Sequence, residues 1–334
     1  MKFAVIGCQH SHIKMFIDEM IELGHEFAGI YDSSDFFLPK QYCDEYKVKR
    51  LENLYDILDS GIDIVGNADR NDKKIDIIEW CEDHNIPVMT DKPIVSNYEN
   101  LKRLKDIIDR KKIKIGMMLT ERFSPPLRTL KQLVEDDVIG ELIDFTFLKP
   151  HKLNKDLRPA WFFDKNINGG LIIDILIHDV DLMRWYTGAE VAESDARLVK
   201  SILAEYPGFF DNATASILMN NGITASLKAD WHMPLASASW GDGRIFVTGT
   251  KARVEVRSTG DIGLDSNTPL VLLTTHENKT EAIPLVKVEQ TLSEDFINYI
   301  NSSSLPLITV EDIYTSNKTV LNIDKKAKQT VRLL

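Results

Sequence analysis

The sequence lacks the features that mark several classes of protein. Its 334 residues include only three cysteines, Cys8, Cys43 and Cys81. None lies in a CxxC pair, so we expect neither a disulfide framework nor a cysteine-rich metal site. No apolar run is long enough to cross a membrane, and the run at residues 3–6 is too short for the core of a signal peptide. These absences predict a cytoplasmic protein without membrane partners.

The sequence also has no long basic stripe, no internal repeat and no low-complexity tract. Its formal net charge is -11, and the densest basic cluster lies at residues 110–114. That cluster fits the C-terminal end of a helix, where cations complement the helix dipole. Nucleic acid is therefore not an expected partner.

The hydrophobic pattern indicates two domains, because the chain exceeds the common domain size of about 100–150 residues. Residues 1–120 alternate short apolar runs with helical patterns, which is typical of a doubly wound parallel sheet in an α/β fold. Residues 121–334 contain many strand-like runs and few helices. They predict an α+β domain with a large, open, mainly antiparallel sheet.

The loop after the first strand indicates a dinucleotide site of the Rossmann type. A G-x-G-x-x-G loop cradles a pyrophosphate, and here only Gly7 is present, with Gln9 and His12 at the second and third glycine positions. Asp32 ends the second strand, where a carboxylate accepts hydrogen bonds from the adenosine ribose and repels a 2′-phosphate. We therefore expect NAD rather than NADP. The predicted cofactor contacts are Gly7, Gln9, His10, Ser11, His12, Asp32, Asn67, Ala68 and Lys92.

Other interpretations of this loop stay open. It is compatible with an ordinary turn in which Ser11 caps the helix and Asp32 starts a second turn. His10 and His12 could suggest a metal, but alternate residues in a turn rarely converge on one ion without further ligands. We expect no metal.

A second group of candidates carries acid–base chemistry. Lys92 follows the fourth strand, at the sheet edge where ligands bind in open α/β folds. Residues 171–186 predict one buried helix on which Asp174 and His178 lie one turn apart, with Asp181 three residues further. Burying an acid and an imidazole is costly unless they are paired or used. The pair could move a hydroxyl proton, or it could be structural.

Together these motifs resemble the glucose–fructose oxidoreductase, inositol dehydrogenase and rhizopine catabolism family (Gfo/Idh/MocA). The resemblance covers nearly the whole chain. It rests on Gly7 and Asp32, on Asp-Lys-Pro at 91–93, on Arg-Phe-Ser-Pro at 122–125, on Ile-Gly-Glu at 139–141 and on the helix at 169–188. This helix is similar to the family's G-G-x-x-x-D-x-x-x-H-x-x-D motif.

The resemblance implies NAD(P)-dependent transfer of a hydride between the cofactor and a CH–OH group of a sugar, cyclitol or related polyol. It implies that Lys92, Asp174 and His178 are catalytic, and that residues 1–120 bind the cofactor. Residues 121–334 would hold the substrate and form a homodimer or homotetramer. Three features depart from the family: the altered glycine loop, the absence of a proline turn at 66–70, and Leu176 in place of a small residue.

Two alternatives remain at this point. One is a non-catalytic NAD(H)-binding regulator, which the altered loop favours. The other is a metal-dependent lyase or isomerase with Asp174, His178 and Asp181 as ligands. An arginine could hold an acid or phosphate group of the substrate, and an aromatic ring could stack on a sugar. The candidate substrate contacts are Arg122, Arg158, Trp161, Asp181 and Trp231.

Overall fold

The structure is a computed structural model that describes residues 1–261, 263, 266–302 and 304–332. The chain divides into two compact units, each built from three segments. Unit 1 comprises Met1–Leu119, Pro159–Gly169 and Gln290–Lys318. Unit 2 comprises Thr120–Arg158, Gly170–Glu289 and Thr319–Leu334. The functional division at residue 120 stays a proposal.

The described residues form the following elements. The strands are β1 (Lys2–Cys8), β2 (Glu26–Tyr31), β3 (Lys49–Leu51), β4 (Ile64–Ala68), β5 (Val88–Thr90), β6 (Ile115–Met117), β7 (Leu142–Pro150), β8 (Val191–Lys200), β9 (Asn212–Met219), β10 (Thr224–Asp230), β11 (Arg244–Gly249), β12 (Ala252–Arg257), β13 (Leu270–Thr275), β14 (Glu281–Ala282) and β15 (Lys328–Val331). The helices are α1 (Ile13–Glu22), α2 (Phe37–Tyr46), α3 (Tyr55–Asp59), α4 (Lys74–Asp83), α5 (Tyr98–Arg110), α6 (Pro125–Glu135), α7 (Lys165–Asn168), α8 (Leu171–Asp174), α9 (Leu176–Thr187), α10 (Leu292–Asn301) and α11 (Val310–Lys326).

Unit 1 contains a six-stranded sheet in the order β3-β2-β1-β4-β5-β6, and every pair in it is parallel. Strands β4 and β5 are buried throughout, and β1 is buried except at its first residue, Lys2. Apolar residues on both faces explain this, since helices cover both faces of a doubly wound sheet. The predicted parallel fold is confirmed. The sequence did not predict β3, because its Lys-Arg-Leu has no apolar run.

Unit 2 contains a nine-stranded sheet in the order β14-β13-β12-β11-β7-β10-β9-β8-β15. Its pairs are antiparallel except β10 with β7 and β15 with β8. The predicted large, mainly antiparallel sheet is therefore confirmed. Phe145 and Phe147 on β7 are fully buried and stack with each other, and Phe145 also stacks with Tyr186 of α9.

The predicted helix at 171–186 is in fact two helices, α8 and α9. They are separated at Ile175, whose φ is -103°. Gly170 precedes α8 with a φ of 88°, and Gly188 ends α9 with a φ of 63°, a region that glycine enters without steric cost.

Among the residues that the structure describes, no helix combines the length and apolar character needed to span a membrane.

Candidate active site

The carboxyl ends of β1, β2, β4 and β5 bring four loops to one edge of the unit 1 sheet. Gly7 lies at the end of β1, just before the first loop, and has a φ of +72°. A Cβ at this position would lie 2.4 Å from the Cβ of Asp69. The backbone amide of Gln9 donates a hydrogen bond to the backbone carbonyl of Ala68 at 2.8 Å. The first glycine of the altered motif therefore lets the loop after β1 pack tightly against the loop after β4.

Asp91 is the centre of a charged cluster at this edge. Its carboxylate lies 2.9 Å from Nδ1 of His12, 3.4 Å from Nδ1 of His10 and 3.4 Å from Nζ of Lys74. Burial alone would raise the pKa of Asp91, but Lys74, His12 and His10 hold it well below the usual range. Two of the predicted cofactor residues are thus brought together by an acid that the sequence analysis used only as part of the Asp-Lys-Pro motif and not as a site residue.

Lys74 is a second residue that the sequence analysis missed. It is fully buried, and its ammonium donates to the backbone carbonyls of Lys92 and Pro93, both at 3.2 Å. It also donates to Oδ1 of Asn71 at 2.8 Å. Lys74 therefore fixes the backbone of the predicted catalytic lysine. The signal was present, because Lys74, Ile78 and Cys81 share the buried face of α4.

The same cluster is a possible metal site, since ligand atoms of His10, His12 and Asp91 lie within 4.8 Å of one another. Asp91 supplies the third ligand that the two histidines lacked in the sequence. A divalent cation would, however, sit beside the buried Lys74 ammonium with one carboxylate to offset both charges. An anion is better matched, because the partly exposed imidazoles of His10 and His12 can donate N–H bonds to it and the buried Lys74 ammonium adds positive charge nearby.

Asp32 and the last residues of β4 are held by the protein itself. Oδ1 of Asp32 accepts the Ser34 amide at 2.8 Å, so the turn considered for this residue does form. The Asn67 side chain is fully buried; it donates to the Lys74 carbonyl at 3.0 Å and accepts the Asp69 amide at 3.2 Å. Ser11 does not cap α1, whose N-cap is His12 with no side-chain hydrogen bond. The cofactor roles of Asn67 and Ala68 stay predictions.

Unit 2 holds the other predicted catalytic residues. Asp174 and His178 are 6% and 9% exposed, so both side chains are buried as expected. Asp181 is bound by Arg122, whose Nε and Nη2 donate to its two oxygens at 2.8 and 2.7 Å. This buried bidentate pair favours a structural role for both partners over the predicted substrate contact. It also counts against Asp181 as a metal ligand.

A second buried ion pair in unit 2 was not predicted. Nζ of Lys149 lies 2.8 Å from Oδ1 of Asp179, and it also contacts Glu121. Burial raises the pKa of Asp179 to about 7, Lys149 lowers it and Glu121 raises it further. The strand pattern carried a signal, because alternation places Lys149 on the same face of β7 as Phe145 and Phe147.

The remaining substrate candidates separate into two places. The Arg158 guanidinium lies 5.3 Å from the ring centre of Trp231 and 5.5 Å from that of Trp240, and burial lowers its pKa although Asp174 raises it. The guanidinium of Arg158 is therefore a half-buried positive charge that interacts with the predicted catalytic acid Asp174. Trp161 instead belongs to unit 1, where its indole Nε1 donates to Oε1 of Gln9 at 3.2 Å. Its neighbour is therefore the altered glycine loop.

The donor set at the edge of the unit 1 sheet fits a dinucleotide. The loop after β1 leads directly into α1, so the helix N-terminus and the two histidines lie where a pyrophosphate would bind. Asp32 offers a ribose acceptor at the end of β2, and Lys92 follows β5. The fold and the donor set together define a dinucleotide-binding unit of the Rossmann type.

Comparison with known proteins identifies the family. Residues 1–118 match the oxidoreductase family with an NAD-binding Rossmann fold, and residues 127–255 match the GFO/IDH/MocA C-terminal domain. The chain belongs to the Gfo/Idh/MocA family of oxidoreductases.

The similar proteins are distant. An uncharacterized oxidoreductase, YrbE of Bacillus subtilis, is 25% identical over 69% of this chain and 64% of its own length. The rhizopine catabolism protein MocA of Rhizobium meliloti is 24% identical over 63% and 64%. An inositol 2-dehydrogenase of Arthrobacter is 26% identical over 53% and 52%. The chain thus spans about half to two thirds of the length of the curated relatives it matches.

Solved structures match over nearly the whole chain and show the fold. An oxidoreductase from Erwinia carotovora has a TM-score of 0.90 at 23% identity, covering 98% of this chain and 99% of its own. An oxidoreductase described as NADPH-dependent, from Desulfitobacterium hafniense, has a TM-score of 0.82 at 18% identity, with 97% and 95% covered. An aldose–aldose oxidoreductase from Caulobacter crescentus has a TM-score of 0.80 at 16% identity, with 98% and 97% covered.

Proposed function

We propose that the chain is a nicotinamide-dependent dehydrogenase or reductase acting on a CH–OH group of a sugar, cyclitol or related polyol. The observation that carries this proposal is the position of Lys92. It lies just beyond Asp91, which follows the parallel strand β5, and the buried ammonium of Lys74 holds its backbone beside the Asp91 cluster. Relatives named inositol 2-dehydrogenase and an aldose–aldose oxidoreductase neighbour support the substrate class.

A bound nicotinamide would supply the hydride chemistry, and the protein positions the reactants. Lys92 donates a hydrogen bond to the substrate oxygen and stabilises the negative charge that develops there. His178 takes the hydroxyl proton in oxidation and returns it in reduction. Asp174 orients the imidazole and favours its charged form. His10 and His12 of the Asp91 cluster would hold the pyrophosphate of the cofactor.

NAD is the proposed cofactor, because the Asp32 carboxylate would repel the 2′-phosphate of NADP. The proposed partners are a small polyol or sugar and further copies of the chain, as a homodimer or homotetramer in the cytoplasm. Binding of NADH, NADPH and the oxidised forms, measured by calorimetry, tests the cofactor assignment. NAD(H) should bind more tightly, and Asp32→Ala should weaken that preference.

Substitution of the lysine tests the activity. With a polyol that the wild-type protein oxidises in a screen at 340 nm, Lys92→Ala should lower kcat by at least about a hundredfold, because it removes a donor aimed at the reacting oxygen. NADH affinity and the thermal midpoint should change little. The matched control is Lys102→Ala, since Lys102 lies on the solvent face of α5 with its side chain 79% exposed. Near-wild-type turnover in Lys92→Ala would sink the assignment.

A further inference from the structure

The Gln9 side chain fills the space next to the ribose acceptor. Gln9 stands at the second glycine position and is 4% exposed. Its Nε2 donates to both oxygens of Asp32, at 3.0 and 2.8 Å, and to the hydroxyl of Ser34. Its Oε1 accepts from the indole of Trp161. The carboxamide is thus held at both ends within unit 1.

The Asp32 carboxylate has no acceptor site left over. Besides Gln9, Oδ1 accepts the amide and hydroxyl of Ser34 at 2.8 and 2.6 Å, and Oδ2 accepts the Cys8 amide at 2.6 Å. An ionised carboxylate offers about four acceptor sites, and these donors use them. A ribose diol can bind Asp32 only if one of the donors leaves.

Gln9 and the Ser34 hydroxyl are the donors that sit on rotatable side chains, and of these two Gln9 bonds both carboxylate oxygens. The Cys8 amide is fixed in β1, and the Ser34 amide is fixed by the turn after β2. The Gln9 carboxamide lies at the end of a flexible side chain, and its N–H groups reach both carboxylate oxygens, as two ribose hydroxyls would.

We propose that Gln9 is an internal competitor of the cofactor's adenosine ribose, and that its displacement from Asp32 determines how tightly the dinucleotide binds. This inference rests on the proposed function, since it requires a dinucleotide site. Gln9 thus weakens dinucleotide binding, whereas a glycine at this position, as in the usual motif, has no side chain to compete for Asp32. The displaced carboxamide also gives up its bond to Trp161, so the indole reports the movement.

Calorimetric titration with NADH and with ADP tests the competition, because both carry the adenosine ribose. Gln9→Ala should tighten both ligands by about tenfold, the equivalent of roughly one charged hydrogen bond no longer broken on binding. Gln132→Ala is the matched control, since it removes a Gln–Asp bond of 2.9 Å on the exposed face of α6. It should leave both affinities unchanged.

If Gln9→Ala does not fold, tryptophan emission of the wild-type protein, which retains Gln9, provides a second test. ADP, which does not absorb tryptophan emission, should change the emission of the wild-type protein, and Trp161→Phe should lose that change. Binding of ADP without a change from Trp161 would overturn the inference. Unchanged or weaker NADH binding in a folded Gln9→Ala would also overturn it while leaving the dehydrogenase proposal intact. No binding of any dinucleotide by the wild type or Gln9→Ala would remove both.

Discussion

Each of the two units buries a lysine–aspartate pair, and the two aspartates have pKa values shifted in opposite directions. In unit 1 the side chains of Lys74 and Asp91 are 1% and 2% exposed, with 3.4 Å between nitrogen and oxygen. In unit 2 those of Lys149 and Asp179 are 8% and 0% exposed, at 2.8 Å. The pKa of Asp91 is well below the usual range, whereas burial raises that of Asp179 to about 7.

The neighbours explain the difference. Burial raises the pKa of both carboxyls, and each has one lysine to lower it. Asp91 also faces His10 and His12, which favour its charged form, whereas Asp179 faces Glu121, a like charge that disfavours it. The closer ion pair therefore belongs to the acid that is harder to ionise. A lysine–aspartate distance alone does not decide the charge of a buried acid.

The largest effect that we expect comes from breaking the pair in unit 1. Lys74→Met leaves a charged, buried Asp91 and removes the donor to the Lys92 and Pro93 carbonyls, so the free energy of unfolding should fall by about 3–5 kcal/mol. Urea unfolding at pH 7 measures this.

The adjacent Lys73 offers a matched control for that experiment. Its side chain is 55% exposed, and its partner on α4 is the surface residue Asp76. Lys73→Met should change the free energy of unfolding by less than about 0.5 kcal/mol. Equal losses in Lys73→Met and Lys74→Met would show that the buried charge on Asp91 is not what makes Lys74 necessary.

Breaking the pair in unit 2 should cost less. Lys149→Met leaves Asp179 able to hold a proton, so at pH 5 the loss should be about 1–3 kcal/mol, the penalty of buried groups without their donor. The loss of stability should grow toward pH 8. At that pH the wild-type Asp179 can ionise beside Lys149, whereas in the variant it would have to ionise without a buried cation or stay protonated at a pH that favours loss of the proton. Urea unfolding of wild type and variant at both pH values measures it. If Lys149→Met at pH 5 lowers the free energy of unfolding as much as Lys74→Met does at pH 7, then Asp179 is not easier to keep protonated than Asp91, and the proposed difference between the two pairs is wrong.

Local patterns in the sequence predicted the sheets, the loop after β1 and the buried helix segment. Periodicity depends on neighbouring residues, and so it can be recognised in one sequence. It could not predict the pairings, because Asp91 meets Lys74 and Asp181 meets Arg122 only after the chain folds. Nor could it show that Gln9 turns toward Asp32. The break between α8 and α9 was also missed, because apolar residues continue across Ile175.

The buried face of each element nevertheless contained more information than we used. Lys74 and Lys149 both occupy positions that the helix and strand periods assign to the interior. A charge at such a position requires a partner, since an unpaired buried charge is very costly. Two lysines on inward positions therefore indicate two buried acids, although not which ones.

The smallest expected effect, and the one that tests the comparison most directly, is the opposite pH dependence of the two acids. The pKa of Asp91 is lowered on folding, so its stabilisation is present above the unfolded value near 3.8 and is lost as the pH falls below it. The pKa of Asp179 is raised, so the stability it contributes is complete below 3.8 and is lost as the pH rises toward about 7.

Asp179→Asn should therefore remove part of the loss of stability between pH 5 and pH 7, by about 2 kcal/mol at most, because one proton is involved. Asp91→Asn should leave the slope in that window unchanged and flatten the slope below pH 4. Urea unfolding of both variants and the wild type at half-unit steps of pH gives the slopes. If Asp179→Asn retains the wild-type slope between pH 5 and 7, Asp179 is ionised in the folded protein, and its lysine rather than Glu121 dominates its environment.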